Sequence, residues 1–328
     1  MRFRPDRRHF LALGGAACLG ALAAPALARA APALTALDGR AFGTSWRVSL
    51  SAGTATGPLR PALEELLAGL DLAFSPWRTD SVISHFNSGT ARGMAVSSEI
   101  AEVTRAALAV AEASEGRFDP TVGPLVARWG FGPIHDGTMP SGGWHGLAAD
   151  DTHIAKADPA LTLDLCGIAK GHALDRMAAL LLDAGHDHFL IDLGGELAAR
   201  GRHPSGRVWQ VGIEDPRPTM DGLAGALRLD GMAVATSGDR INGYDIGRRR
   251  FSHIIDPATR EPVESRLASV SVLAPAGREA DGWATALMAA GGAGPELAGR
   301  RGISALFLFR EGDGLRRAAT GRFAQHLV

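Results

Sequence analysis

The residues able to do chemistry fall in four stretches. The first is Leu163-Asp164-Leu165-Cys166-Gly167-Ile168-Ala169-Lys170-Gly171-His172-Ala173. An apolar run delivers an acid, then small residues, then a lysine where a helix opens. Small residues let backbone approach a ligand closely. A helix N-terminus offers unpaired N–H groups and the positive end of a dipole, which suit a phosphate, and a lysine adds a point charge there. A plain strand–turn–helix corner with a surface lysine has the same pattern, and this segment alone weighs evenly between the two. The second stretch is Glu279-Ala280-Asp281-Gly282-Trp283-Ala284-Thr285-Ala286-Leu287-Met288. Asp281 and Thr285 are four apart and share one helix face. A carboxylate and a hydroxyl there, both hard oxygen donors, could hold Mg²⁺, or could be a capping or surface pair.

The third stretch, Ser252-His253-Ile254-Ile255-Asp256-Pro257, closes a strand. His253 could act as a general base or orient a ligand, and Asp256-Pro257 reads as a turn. The fourth runs Gly116-Arg117-Phe118-Asp119-Pro120-Thr121-Val122-Gly123-Pro124-Leu125, followed by Trp129-Gly130-Phe131-Gly132. Prolines and glycines stiffen this loop, and Asp119 sits in its stiffest part, where a ring-nitrogen or ribose contact could be held. Many familiar signatures are missing. There is no phosphate loop of the G-x-x-x-x-G-K-[ST] kind, no G-x-G-x-x-G after a strand, no H-E-x-x-H, no C-x-x-C and no G-x-S-x-G.

These stretches must be carried by regular elements. Leu59, Leu63, Leu66, Leu67 and Leu70 recur at helical spacing. Helices are also predicted at about 98–114, with Ile100, Val103, Ala107 and Val110 inward and Gly116 as the stop, at 168–184 and at 278–290. Arg40–Leu50 reads as one strand after a glycine turn. Strands follow at Phe189–Leu193, 207–213, 226–236, 250–255, 267–273 and 303–309. Residues 130–150 read as an irregular loop, and Glu311–Gly314 as a hairpin turn. Strands and helices do not alternate strictly, so the class is α+β and not a doubly wound sheet. No repeat or linker divides the chain.

Of 328 residues, 46% are apolar and 21% charged, as in a globular protein. The formal net charge of −1 argues against a nucleic-acid or membrane-surface binder. Only Lys156 and Lys170 are lysines, against 32 arginines. Residues 1–30 carry Arg2, Arg4, Arg7 and Arg8, then an apolar run, then Ala28-Arg29-Ala30, the layout of a cleavable export signal. Asp6-Arg7-Arg8-His9-Phe10-Leu11 is close to a twin-arginine signal, a route that carries folded proteins to the periplasm. An uncleaved inner-membrane anchor is the alternative. Cleavage leaves 31–328 as the working domain, with a net charge near −5 and one cysteine, Cys166. With Arg7 and Arg8 both replaced by lysine, cell fractionation should find the protein depleted from the periplasm. Undiminished periplasmic protein would remove the twin-arginine assignment.

Taken in order, the stretches resemble the ApbE-type FAD:protein FMN transferases. The likeness rests on Gly43-Thr44, Ser75-Pro76-Trp77, Phe118–Val126, Asp164–Gly171, Ala235-Thr236-Ser237-Gly238-Asp239, Ser252–Pro257 and Ala280–Thr285. It implies a single two-lobed α+β flavin transferase domain with FAD in the cleft between lobes. It also implies that FMN passes from FAD to a Thr or Ser of an acceptor redox protein, with release of AMP and a need for Mg²⁺. By position, Asp281 and Thr285 resemble the metal's side-chain ligands, Gly167 the residue lending its carbonyl, and Asp164, Lys170 and Ile255 flavin-nucleotide contacts. Phe42, Trp77, Arg117, Phe118 and Asp119 match the remaining cofactor-binding positions, and His253 a residue beside the reacting groups. The alternatives are an FAD pyrophosphatase on the same fold and a non-catalytic periplasmic flavin-binding protein. This chain departs from the family pattern at Cys166, where Gly or Ser is usual, at His172, which replaces an aromatic residue, and at Arg240 after Ser-Gly-Asp.

Overall fold

Period-two burial builds the framework. In the strand Thr44–Ser51, Trp46, Val48 and Leu50 are buried while Ser45 and Arg47 face outward. The computed structural model describes residues 34–328 apart from Ser141, Pro218, Thr219 and Arg248, so the expected export signal at 1–30 lies outside the described residues. An eight-stranded sheet runs in the order 34–41, 44–51, 189–193, 196–200, 232–238, 267–274, 304–311 and 314–319, every neighbouring pair antiparallel. The central strand Leu267–Ala274 is buried along its whole length because both faces of the sheet are covered.

The two faces sort by parity. Ala305, Phe307 and Phe309 enter the main core, whereas Leu306 and Leu308 enter a second core with Trp209, Val211, Leu227, Leu229 and Phe323. That second core lies under the hairpin Trp209–Glu214/Leu223–Leu229. The main core lies under four helices, Leu59–Phe74, Ser98–Ala113, Ala169–Asp183 and Gly277–Ala289. All four stand within a few residues of the ranges predicted from spacing, and the fold is α+β.

Three strand expectations are corrected. Arg40–Leu50 is not one strand. It spans a hairpin, Leu34–Ala41 and Thr44–Ser51, whose tight turn puts Phe42 at φ 50° and Gly43 at φ 70°. The stretch 226–236 is likewise two strands, Leu223–Leu229 and Met232–Gly238, parted at Gly231 with φ 64°. Gly43 and Asp230-Gly231 are turn residues by type, but a reading by periodicity alone passes through both. The expected strand 250–255 stops at Ser252, and Ile255–Asp256 pairs separately with Glu261–Pro262. Within the expected irregular loop 130–150, Gly143–Gly146 forms a helical turn and Leu147–Ala149 a short strand.

Two helices that matter for the site touch through glycine. A Cβ at Gly171 would stand 2.2 Å from the Gly277 carbonyl oxygen and 2.7 Å from Asp281 Cβ. Only hydrogen fits there, so the lysine-bearing helix Ala169–Asp183 and the aspartate-bearing helix Gly277–Ala289 pack backbone to backbone. Asp175 tightens the contact. Its carboxylate accepts from the N–H groups of Gly277 (2.5 Å) and Arg278 (3.0 Å), capping a helix whose own N-cap, Ala276, has no acceptor.

Candidate functional site

The close crossing of these helices assembles three oxygen donors. Asp281, 4% exposed, accepts from the Gly171 N–H at 2.9 Å through Oδ2. One turn on, the Thr285 hydroxyl donates to the Gly167 carbonyl at 3.4 Å. A Cβ at Gly167 would come within 3.0 Å of both Thr285 and the Phe118 ring, so glycine is what lets this carbonyl lie between them. Among the described residues no three His, Cys, Asp or Glu side chains cluster to hold a metal. The donor set is instead mixed: carboxylate, hydroxyl and carbonyl. Few protein ligands, all hard oxygens, fit Mg²⁺, which keeps several sites for water and phosphate oxygen.

Lys170 opens the same helix. Its Nζ donates to Glu196 Oε1, and its side chain is 33% exposed. Burial works against the Lys170 charge, but the fields of Glu196 and Asp281 outweigh it and hold its pKa above the ordinary value. Burial pushes Glu196 up to about 7 despite the neighbouring ammonium. Asp281 is likewise raised by burial, with Lys170 and the Gly171 N–H pulling the other way. A site that crowds two acids beside one lysine favours a further cation.

The stiff loop is tied to the segment that precedes Lys170. The Asp164 N–H donates to the Pro120 carbonyl at 2.7 Å, tying the 116–125 loop to the Asp164 segment. Asp164 is half-exposed, accepts from the Cys166 N–H at 2.9 Å, and is raised by burial. Arg117 pairs with Asp256 at 3.2 Å, which brings the loop to buried Ile255. Asp119 is itself buried and turned inward. Its Oδ1 accepts from the Thr121 N–H (2.8 Å) and hydroxyl (2.6 Å), and burial raises its pKa. It therefore shapes the loop through Thr121.

His253 hangs at the base of the hairpin Gly243–Ile246/Arg249–Ser252. Aromatic rings seat that hairpin on the 129–131 turn. Trp129 stacks on Phe251 and Phe131 on Tyr244, and Phe131 meets the His253 ring edge-on at 6.3 Å. His253 Nδ1 lies 3.1 Å from the Asn242 carbonyl, which can only accept. Nδ1 therefore carries the proton and Nε2 keeps a free lone pair. Burial lowers the His253 pKa, and Lys170 is among the charges acting on it, so the two share one electrostatic neighbourhood.

The remaining expectations are placed as follows. Phe118 is buried beside Gly167, and Phe42 packs half-buried against the main core from its strained turn. Trp77 is 67% exposed, a large ring open to a flat ligand. The departures from the family pattern are accommodated. His172 pairs with Glu99 at 2.9 Å and meets Phe74 edge-on, filling an aromatic place. Arg240 pairs with Glu214 and Asp221, and Cys166 is exposed. Sequence reasoning missed Glu196, Asp175 and Asn87. Asn87 clamps Leu163 through both N–H (2.7 Å) and carbonyl (2.9 Å), which sets the register of Asp164 next to it. The signal for Glu196 was an acid directly after Gly194-Gly195. Asn87 carried none, and Asp175 only an indirect one, the absence of a capping side chain before Gly277. A groove of ≈ 740 Å³ between Leu59–Phe74 and Ser98–Ala113 is lined by none of the predicted site residues.

Fold and site together describe an α+β protein with a lysine at a helix start, a mixed set of oxygen atoms of the kind that suits Mg²⁺, and a histidine with a basic ring nitrogen, side chains suited to phosphate-group chemistry. The model of the ApbE family matches residues 42–307, and the chain belongs to that family. It is 33% identical to the FAD:protein FMN transferase of Salmonella typhimurium, the match covering 94% of each chain, and 32% identical to that of Escherichia coli over 90% of each. Among solved structures, the flavin transferase ApbE from Vibrio cholerae superposes with TM-score 0.81 at 31% identity, covering 90% of this chain and all of that one. The apo flavinyl transferase ApbE of Pseudomonas stutzeri gives TM-score 0.80 at 35% identity, over 90% of this chain and 97% of that one.

Proposed function

We propose that this chain transfers FMN from FAD to a Thr or Ser hydroxyl of an acceptor redox protein, through a phosphoester bond and with release of AMP. The observation that carries the reading is the convergence of Asp281, Thr285 and the Gly167 carbonyl beside the Lys170 helix start. The relatives' names support flavin transfer to a protein. The Mg²⁺ requirement rests on the donor set. Mg²⁺, when bound, would neutralise charge that builds on the phosphates. Lys170 and the helix N-terminus bind the diphosphate. The acceptor oxygen attacks the FMN-side phosphorus, and the bond from that phosphorus to the bridging oxygen breaks. AMP leaves with the bonding electrons, and His253 Nε2 takes the hydroxyl proton. Phosphoryl-type transfer needs chiefly positioning and charge neutralisation, so a site with few charged groups suffices. We place the domain, residues 31–328, in the periplasm after export.

Incubation with FAD and Mg²⁺, with and without an acceptor carrying a Thr or Ser flavinylation segment, tests the reading. Intact-mass analysis should find FMN covalently on the acceptor together with stoichiometric AMP. Free FMN and AMP at the same rate with or without acceptor make it a pyrophosphatase. FAD bound and unchanged makes it a binding protein.

A further inference from the structure

Glu196 is a strongly buried acid beside Lys170 with no part in the reading above. It opens the strand Glu196–Arg200, immediately after Gly194 and Gly195, whose φ values of 66° and 105° turn the chain back from the strand Phe189–Leu193. The side chain is 3% exposed. One carboxylate oxygen, Oε1, accepts from Lys170 Nζ, and the other, Oε2, is buried with no hydrogen-bond partner. The contact is long-range in sequence and crosses from sheet to helix. Glu196 belongs to the eight-stranded sheet, whereas Lys170 rides on the first turn of a helix with its side chain a third exposed.

We propose that Glu196 is the positioning residue for Lys170, holding its ammonium at the diphosphate site from behind. This rests on the reading of Lys170 as a phosphate contact. A lysine head on four methylenes samples many rotamers, and fixing them costs about as much as one modest contact returns. A lysine already tethered through one of its three donors offers the other two with that cost met in advance. The buried location suits a tether. An exposed carboxylate would be displaced by water and salt, whereas one sealed under the helix is not. The unpartnered Oε2 fits a group retained for the placement of its neighbour and not for its own satisfaction, since a well-packed apolar residue would avoid that loss.

The test is a cycle of four full-length mature proteins: wild type, Glu196→Asp, Lys170→Met and the double variant. The dissociation constant for FAD is measured by titration calorimetry in Mg²⁺. Glu196→Asp keeps the charge and retracts it by one methylene, so it isolates position from net charge. It should weaken FAD binding about tenfold. Lys170→Met should weaken it more than tenfold. Adding Glu196→Asp to Lys170→Met should then change nothing further, because no ammonium remains to be placed. Equal weakening by Glu196→Asp in both backgrounds would make Glu196 a structural residue and overturn the proposal. So would unchanged affinity in Glu196→Asp where Lys170→Met binds weakly. If Lys170→Met binds FAD as wild type does, the phosphate reading itself fails and the tether with it. Should Glu196→Asp not fold, Glu196→Gln enters the same cycle, and the coupling with Lys170→Met decides: zero coupling overturns the proposal and non-zero coupling supports it.

Discussion

Asp281→Asn will lose nearly all Mg²⁺-dependent release of AMP from FAD, by about 10³-fold or more, while the protein stays folded. The argument starts from the helix. Asp281 and Thr285 stand one turn apart on Gly277–Ala289, and the glycine contact at Gly171 brings that face against the Gly167 carbonyl. Asp281 does two jobs at once. Oδ2 accepts from the Gly171 N–H, which is structural, and the carboxylate charge is the only full negative charge in the oxygen set. Asparagine separates them, because its carbonyl can still accept from Gly171 while the charge is gone. Alanine removes both and leaves a buried N–H unpaired, at a further cost of about 1–3 kcal/mol in stability. Thr285→Ala should cost less activity alone. Added to Asp281→Asn it should cost little more, since groups serving one ion act as a unit. The measurement is AMP release across a Mg²⁺ titration for the single variants and the double. A wild-type rate with unchanged Mg²⁺ dependence in Asp281→Asn would move the cation site elsewhere.

That face of the helix was legible in the sequence because it depends on spacing alone. Asp281 and Thr285 are four apart in a run with a clear apolar stripe, and the helix stands one residue from its expected ends. The same holds for the helix that Lys170 opens, whereas the role of the Gly167 carbonyl came from the family resemblance and not from spacing. What spacing does not carry is the sheet's return path. The strand Glu196–Arg200 follows two glycines and reads Glu-Leu-Ala-Ala-Arg, too short and too mixed to announce itself, so its leading acid passed unseen. Asn87 is further removed. It lies 76 residues from the backbone it clamps, and neither partner has a pattern that names the other. Asp175 caps a helix about a hundred residues away in place of the absent local cap, so the missing Ser or Asp before Gly277 was the visible half of that pair. Asp119 is divided between the two roles. Its type and its stiff loop suggested a ligand contact; Oδ1 accepts from Thr121, while Oδ2 is buried with no hydrogen-bond partner. Local periodicity thus gave the helices and their faces, and the tertiary pairs that aim the side chains needed coordinates.

His253→Ala will lose about 10²- to 10⁴-fold in transfer rate with FAD binding little changed. The geometry assigns the proton first. The Asn242 carbonyl accepts from Nδ1, so the neutral ring presents Nε2 as its basic atom, and the edge contact with Phe131 steadies the ring plane. The pH dependence follows with a definite sign. Burial lowers the His253 pKa from 6.5. The Lys170 charge pushes the same way, while the Asn242 contact and Asp239 oppose, and the net shift is downward. A base must be deprotonated to act, so the wild-type rate should fall as pH drops through a midpoint below 6.5 and lie flat above it. The lowered value keeps the base ready at neutral pH, at some cost in basicity. His253→Ala should lose that acid limb together with the rate, whereas a residue that only supports the hairpin would lower the plateau and leave the limb where it was. The two outcomes separate in one measurement, single-turnover transfer to the acceptor from pH 5 to 8 at saturating FAD and Mg²⁺. A variant that keeps the limb shows that another group takes the hydroxyl proton, and His253 then serves only to seat the hairpin against Phe131.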